Sequence, residues 1–161
     1  MKSSTFLRIA SVITFLYFAG HTASIPWTPA VGPAEAPVLE AMKAHSFNVL
    51  GSNRTYWDFY FGFGVIISAY LLVQAVVLWQ LGSLAKRQPA QARPIVASFL
   101  VAFIVNACLS WKYFFAIPLV NAILISVCLA LALLFSGRSK GAEQIVRPER
   151  GEERATMNAE R

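Results

Sequence analysis

Four long apolar segments constrain the fold of this chain more than any other feature. They cover about residues 6–23, 56–81, 94–111 and 114–136. About 20 mostly apolar residues, at about 1.5 Å of helical rise each, are enough to cross the hydrocarbon core of a bilayer. A water-soluble fold has no use for so many segments of this length. The sequence therefore predicts an all-α fold, namely a four-helix transmembrane bundle.

Charged residues are few, and most of them lie outside the apolar segments. They make up 14% of the 161 residues, whereas an average soluble domain carries about 25%. We therefore interpret residues 1–137 as one membrane domain. Residues 138–161 mix Arg and Glu with almost no aliphatic side chains, so we predict a polar cytoplasmic tail that is disordered, with a short solvated helix as the alternative.

The net charge of +6 does not indicate nucleic-acid binding. The basic residues lie at segment ends and do not alternate with aromatic residues on one surface. Anionic lipid headgroups and the positive-inside rule account for cations in such places. The expected partners are membrane lipids and a lipophilic small molecule. No cofactor is expected, and the oligomeric state does not follow from the sequence.

The same basic residues predict how the chain crosses the membrane. They flank the first segment, fill the link between the second and third, and follow the fourth: Lys2, Arg8, Lys86, Arg87, Arg93, Arg138 and Lys140. Cytoplasmic loops carry an excess of Lys and Arg. Both termini and the middle link are therefore expected in the cytoplasm, and the loop at about residues 21–55 is expected outside it.

The first segment has a second interpretation. A basic start, a modest apolar core and the small residues around Ala23 resemble a secretory signal peptide. Cleavage there would remove His21 from any site. It would leave the threading of the other three segments unchanged.

The extracytoplasmic loop is expected to carry a short amphipathic helix. Four apolar residues fall near one helical face: Val38, Leu39, Met42 and Phe47. This spacing predicts a helix over residues 37–47 on the outer rim of the bundle, with an ordinary packed loop as the alternative. Thr55, followed by Asp58 three residues later, resembles a capping box and predicts where the second span begins.

Polar side chains gather near the outer face in this threading. A carboxylate beside an imidazole favours the protonated ring and orients its tautomer, so the pair can pass protons. His21 and Asp58 are therefore the candidate acid–base residues. Six further residues are candidates for ligand binding: Arg54, Trp57, Asn106, Trp111, Lys112 and Asn121.

Such a pocket, lined by aromatic side chains, suits a flat lipophilic ligand such as a quinone, a sterol-like or a polyprenyl molecule. Each candidate also has an ordinary structural role open to it. Asp58 can cap its helix, Arg54 and Lys112 can extend to the interface, and the asparagines can hydrogen-bond between helices. No pair of ligands at helical spacing supports a metal site, so none is predicted.

Two sequence stretches carry a family resemblance. Gly20-His21-Thr22, followed by the run from Arg54 to Gly64, resembles a group of small bacterial four-helix membrane proteins of unknown function. The layout is also similar to that of the DoxX-like proteins, a broad set of four-helix inner-membrane proteins. The resemblance covers about residues 1–137. It implies a bacterial inner-membrane location and four helices, and it assigns no catalytic residue.

Two functions are compatible with these observations. The first is a non-enzymatic membrane protein that binds a lipophilic ligand or a membrane partner in an outward-facing pocket. The second is a small membrane enzyme, isomerase-like or quinone-linked, that uses His21 and Asp58 for proton transfer. Side chains of His21 and Asp58 within about 4 Å of each other would favour the enzyme. A transporter subunit is disfavoured, because no carboxylate lies deep in a span.

Overall fold

The computed structural model describes residues 2–24 and 32–136. It contains five helices and two strands in these ranges: α1 (Lys2–Ser24), α2 (Glu35–Ala44), β1 (Ser46–Val49), β2 (Ser52–Thr55), α3 (Tyr56–Arg87), α4 (Pro89–Tyr113) and α5 (Ala116–Ser136). Helices α1, α3, α4 and α5 are each long and apolar enough to cross a membrane, which confirms four helices of that length and composition at the predicted segments. The predicted tail at residues 138–161 lies outside the described residues.

The ends of α3 and α4 differ from the sequence prediction. Helix α3 has 32 residues and continues six residues beyond the predicted end at residue 81. At about 1.5 Å per residue it is about 48 Å long, which exceeds the hydrocarbon core of about 30 Å. Helix α4 begins five residues earlier than predicted, because Pro89 occupies a first-turn position where proline is favoured. Pro94 consequently lies inside the helix.

The chain divides into two compact units. Of the described residues, 2–11 together with 78–136 form one, which we call the terminal unit, and 12–24 together with 32–77 form the other, which we call the central unit.

In the central unit, α1 contacts α3 at Ser68, through His21 and Thr22, and Ser68 belongs to a stripe of mostly small buried residues on α3. Gly64, Ser68, Leu71 and Ala75 are buried at helical spacing along this stripe. Thr14 of α1 is fully buried. Small residues allow helix backbones to approach closely in lipid, where water does not drive association. The face of α3 that carries Ser68 is therefore the face that contacts α1 in this unit.

A β-hairpin follows α2, so the fold is not purely helical. Strands β1 and β2 pair antiparallel, with Phe47 opposite Arg54 and Val49 opposite Ser52. Leu50 and Gly51 connect them with positive φ angles of 49° and 83°, which is the backbone geometry of a tight two-residue hairpin turn. The predicted helix at residues 37–47 thus ends at Ala44. None of the residues of α2 is buried, so its amphipathic character is not confirmed.

Aromatic stacking fastens this hairpin to the start of α3. The ring of Phe47 lies 4.9 Å from that of Tyr56 and 5.7 Å from that of Phe59, measured between centroids. His45 stacks on Tyr56 at 5.5 Å. Since aromatic pairs favour centroid distances of about 4.5–7 Å, the hairpin rests on an aromatic platform at the first turn of α3.

The terminal unit has its own apolar core. Leu7, Ile125 and Leu129 are fully buried there, as is Leu78. Phe6 of α1 stacks on Phe135 of α5 at a centroid distance of 5.5 Å. The start of α1 is thereby held beside the end of α5.

Candidate functional site

His21 is held by α3 in the central unit, in a small group of polar side chains. Its Nδ1 lies 3.0 Å from Oγ of Ser68, and Oγ1 of Thr22 donates a hydrogen bond to the same oxygen at 3.0 Å. A serine hydroxyl has one proton. It also has two lone pairs, so Ser68 accepts from Thr22 and either donates to Nδ1 of His21 or accepts from it, depending on the tautomer of the ring. The edge of the Tyr17 ring also lies near His21, with centroids 6.1 Å apart.

Neither Ser68 nor Thr22 was predicted to belong to a site. Ser68 is only 8% exposed and sits inside an apolar run. Its spacing of four residues from Gly64 is typical of close helix packing, and this was the available signal. The signal does not say which residue of another helix the hydroxyl meets.

Asp58 is occupied at its own helix start. The backbone N–H of Thr55 donates to Oδ2 of Asp58 at 2.8 Å, and the backbone N–H of Asp58 donates to Oγ1 of Thr55 at 3.1 Å. These reciprocal bonds confirm the capping box. They satisfy two backbone donors that have no partner within the helix.

His21 and Asp58 are not brought together, contrary to the expected acid–base pair. Asp58 precedes Ser68, the partner of His21, by ten residues, which is about 15 Å along α3. The capping bonds hold the carboxylate at the start of the helix. The acid–base roles of these two residues stay predictions, and they have no shared site.

A groove runs along another face of α3. It has a volume of about 240 Å³ and is lined by Arg54, Asp58, Phe59, Gly62, Phe63 and Ile66. Two residues along a helix correspond to about 200° of rotation about its axis, so such residues point in nearly opposite directions. Gly62 is two residues from Gly64, and Ile66 is two residues from both Gly64 and Ser68, which lie on the stripe that contacts α1 at Ser68. The groove therefore faces away from α1 and from His21.

The groove is charged at one end and apolar along its length. Arg54 and Asp58 stand at the hairpin end, where Nη1 of Arg54 donates to the backbone oxygen of Asn53 at 2.8 Å. Phe63 and Ile66 leave 58% and 50% of their surface exposed further along. A Cβ placed on Gly62 would have no atom within 4 Å, so this glycine forms an open notch.

Trp57 lies on a different side of the α3 start. Its ring packs against those of Tyr60 and Phe61, at centroid distances of 5.6 Å and 6.4 Å. The ammonium of Lys43 lies 5.4 Å from the Trp57 ring centroid. Trp57 thus serves as an aromatic contact for α2 and does not line the groove.

The four remaining candidates belong to the terminal unit, and three of them make their contacts within their own stretch of chain. Asn106 accepts a hydrogen bond from Ser110 at 3.2 Å, and Asn121 donates to the carbonyl of Ile117 at 3.0 Å. Lys112 lies over the ring of its neighbour Tyr113. Trp111 is 78% exposed. The structure shows no common site for these four residues, and their ligand-binding roles stay predictions.

Metal ligands do not cluster in the part of the chain that the structure describes. No group of three or more His, Cys, Asp or Glu residues within residues 2–24 and 32–136 could hold an ion.

Comparison with known proteins adds no family to this picture. No protein-family model, no curated protein and no solved structure matches the chain. The resemblance to small bacterial four-helix membrane proteins and to DoxX-like proteins therefore stays an expectation from the sequence. Function has to be argued from the groove and from the polar contacts.

Proposed function

We propose that this protein is a multi-pass protein of a bacterial inner membrane that binds a lipid-class amphiphile in the groove of α3. In this proposal both termini lie in the cytoplasm, as the positive-inside rule indicates, and the hairpin and the groove lie on the outer side of the membrane. The observation that carries the proposal is the layout of the groove, which has two opposite charges at one end and an apolar channel beyond them.

The size of the groove limits what it holds. Pockets that enclose a small ligand measure about 300–1,000 Å³, and this groove is smaller, at about 240 Å³. It therefore receives one acyl or isoprenoid chain, or one ring system, along Phe59, Phe63 and Ile66. The notch at Gly62 brings that chain against the backbone of α3.

The charges select the headgroup. The planar guanidinium of Arg54 suits a phosphate or carboxylate, and Asp58 suits an ammonium. A headgroup with both signs, such as that of phosphatidylethanolamine, satisfies the pair. An enzyme that uses His21 and Asp58 together gains no support, because His21 lies on the opposite side of α3.

The test fills the groove without disturbing the fold. A side chain at Gly62 meets no other atom within 4 Å, so Gly62→Leu is expected to fold. Gly20→Leu is the matched control, because Gly20 has equally open surroundings. Each variant is purified in mild detergent and supplied with phosphatidylethanolamine. Native mass spectrometry then measures how much lipid it retains.

We expect Gly62→Leu to retain several-fold less lipid than the wild type, and Gly20→Leu to retain as much as the wild type. Arg54→Gln should lower retention of phosphatidylethanolamine and leave retention of uncharged diacylglycerol unchanged. Equal retention by all variants would overturn the proposal. Loss of a co-purifying membrane protein from Gly62→Leu, without loss of lipid, would show that the groove binds a partner helix instead.

A further inference from the structure

Arg8 is a cation in the terminal unit that the proposed groove does not use. Its guanidinium carbon lies 4.7 Å from the ring centroid of Trp79 on α3. Its Nε is buried and has no hydrogen-bond partner among the described residues. One face of the guanidinium is thus covered by an aromatic ring, and a buried donor is left without an acceptor.

A glycine makes this position possible. Gly82 of α3 is buried beside Arg8, and a Cβ at Gly82 would meet Cγ of Arg8 at 3.1 Å and the backbone oxygen of Ser4 at 3.4 Å. The arginine stem therefore lies directly against the α3 backbone. The hydroxyl of Ser4, one helical turn before Arg8, is a second buried polar group without a partner among the described residues.

The described part of the terminal unit contains no acidic residue that could neutralise Arg8. No Asp or Glu occurs in residues 2–11 or 78–136, the described part of the terminal unit. The cations where α1 begins, α3 ends and α4 begins are Lys2, Arg8, Lys86, Arg87 and Arg93. Lys2, like Arg8, rests on a ring: its ammonium lies 5.4 Å from the centroid of Phe135. An aromatic face attracts a cation, but it supplies no acceptor for the N–H groups.

We propose that Arg8 is the centre of a binding site for the phosphate of an anionic phospholipid. The guanidinium fork donates two hydrogen bonds to phosphate oxygens while its face stays on Trp79. Lys2 and Arg93, near the starts of α1 and α4, add to the positive charge of the same unit. Basic pockets between membrane-spanning helices bind anionic lipid headgroups in this way.

The surroundings favour a lipid over free phosphate. Ile9 and Trp79 leave 43% and 47% of their surface exposed beside Arg8. They belong to helices that are apolar enough to span a membrane. Acyl chains attached to the bound phosphate would cover this surface. The site lies in the terminal unit and does not depend on the proposed role of the groove.

The test measures stabilisation by defined lipids in detergent. Phosphatidylglycerol is added to the full chain, with phosphatidylethanolamine and inorganic phosphate in parallel, and Tm is followed by thermal unfolding. Binding to the folded state raises Tm with ligand concentration. We expect a rise with phosphatidylglycerol that exceeds the rise with the other two. Native mass spectrometry should show retained phosphatidylglycerol.

Three variants assign the effect to Arg8. Arg8→Gln should weaken the apparent affinity for phosphatidylglycerol about tenfold, as expected for losing a charge-assisted hydrogen bond. Arg8→Lys keeps the charge without the fork and should lie between Arg8→Gln and the wild type. Lys43→Gln removes a cation of α2, in the central unit, and should behave as the wild type.

Two results would overturn the proposal. One is an affinity for phosphatidylglycerol that Arg8→Gln and Arg8→Lys leave unchanged. The other is an equal rise in Tm with inorganic phosphate alone, which would show an ion site without lipid recognition. If Arg8→Gln does not fold, the comparison of Arg8→Lys with Lys43→Gln decides the matter, because both variants keep a long side chain at position 8.

Discussion

The imidazole of His21 and the hydroxyl of Ser68 join α1 to α3 across 47 residues of sequence, with Nδ1 and Oγ 3.0 Å apart. Thr22 donates to the same hydroxyl. The histidine that the sequence indicated as a proton carrier is thus a partner in helix packing. Its contact defines which faces of α1 and α3 meet.

Ser68→Ala removes the hydroxyl that both His21 and Thr22 contact. Hydrogen bonds between membrane helices contribute about 0.6 kcal/mol on average and up to about 1.7 kcal/mol, so we expect a loss of stability in this range. Equilibrium unfolding in mixed micelles measures it. Ser98→Ala is the control, because the exposed Ser98 hydroxyl bonds only to the carbonyl of Pro94 in its own helix. Equal losses in the two variants would refute a special role for Ser68.

Thr55→Ala and Asp58→Ala should open the capping box from opposite sides. Asp58→Ala leaves the Thr55 amide without its acceptor, whereas Thr55→Ala leaves the Asp58 amide without its acceptor. We expect faster hydrogen exchange at Thr55 in the first variant and at Asp58 in the second. The His21–Ser68 contact should be unaffected in both. Unchanged exchange at these two amides would contradict the capping role.

Gly82→Val tests the close approach of Arg8 to α3. A Cβ at Gly82 would sit 3.1 Å from Cγ of Arg8, and overpacking of this kind costs about 1–3 kcal/mol. Thermal unfolding in detergent should show the loss. Gly20→Val introduces the same side chain into open space and should change Tm much less. A Tm for Gly82→Val as high as that for Gly20→Val would mean that α1 and α3 are further apart than the structure shows.

Phe47→Ala should release the hairpin from α3. The ring of Phe47 packs on Tyr56 and Phe59, and aromatic pairs contribute about 0.5–1.5 kcal/mol each beyond burial of their area. Limited proteolysis should then cut at the Leu50–Gly51 turn sooner than in the wild type. Val49→Ala, also on β1 but with no described ring contact, should leave the cleavage rate near that of the wild type. Identical rates for all three proteins would show that stacking does not hold the hairpin.

A cysteine at Leu50 reports which side of the membrane carries the hairpin. Leu50 is fully exposed at the hairpin turn. In a background with Cys108 and Cys128 replaced by serine, Leu50→Cys should react with an impermeant maleimide applied outside intact spheroplasts. This follows from the positive-inside rule, which places the basic link near residues 86–93 in the cytoplasm. Reaction only after permeabilisation would reverse the proposed orientation.

The sequence predicted the spans better than it predicted their ends. An apolar run of about 20 residues has a helix as its main way to satisfy backbone groups in lipid, so four helices followed directly. The apolar composition gave the extent of the span and not that of the helix: α3 continues to Arg87, and Arg8 and Ser4 pack against the bare backbone of Gly82. The hairpin was missed because each strand has only four residues.

The candidate site was predicted only in part. The capping box of Thr55 and Asp58 is a local pattern of four residues, and it is confirmed. The pairing of His21 with Asp58 depended on two helices at once, and the structure does not form it. Arg54 and Asp58 do line a groove, but Phe59, Gly62, Phe63 and Ile66 had not been connected with it.

The sequence alone determined that four segments of this protein favour hydrocarbon and where charge accumulates, because both depend on the composition of contiguous stretches. Only the tertiary structure decided which face of α3 meets α1, and thus that Ser68 meets His21 while Gly62 opens away from it. Neighbouring faces of an apolar helix differ by a few small residues. The shape of the partner helix decides which face packs against it. That shape depends on residues far away in the sequence, so a local pattern does not reveal it.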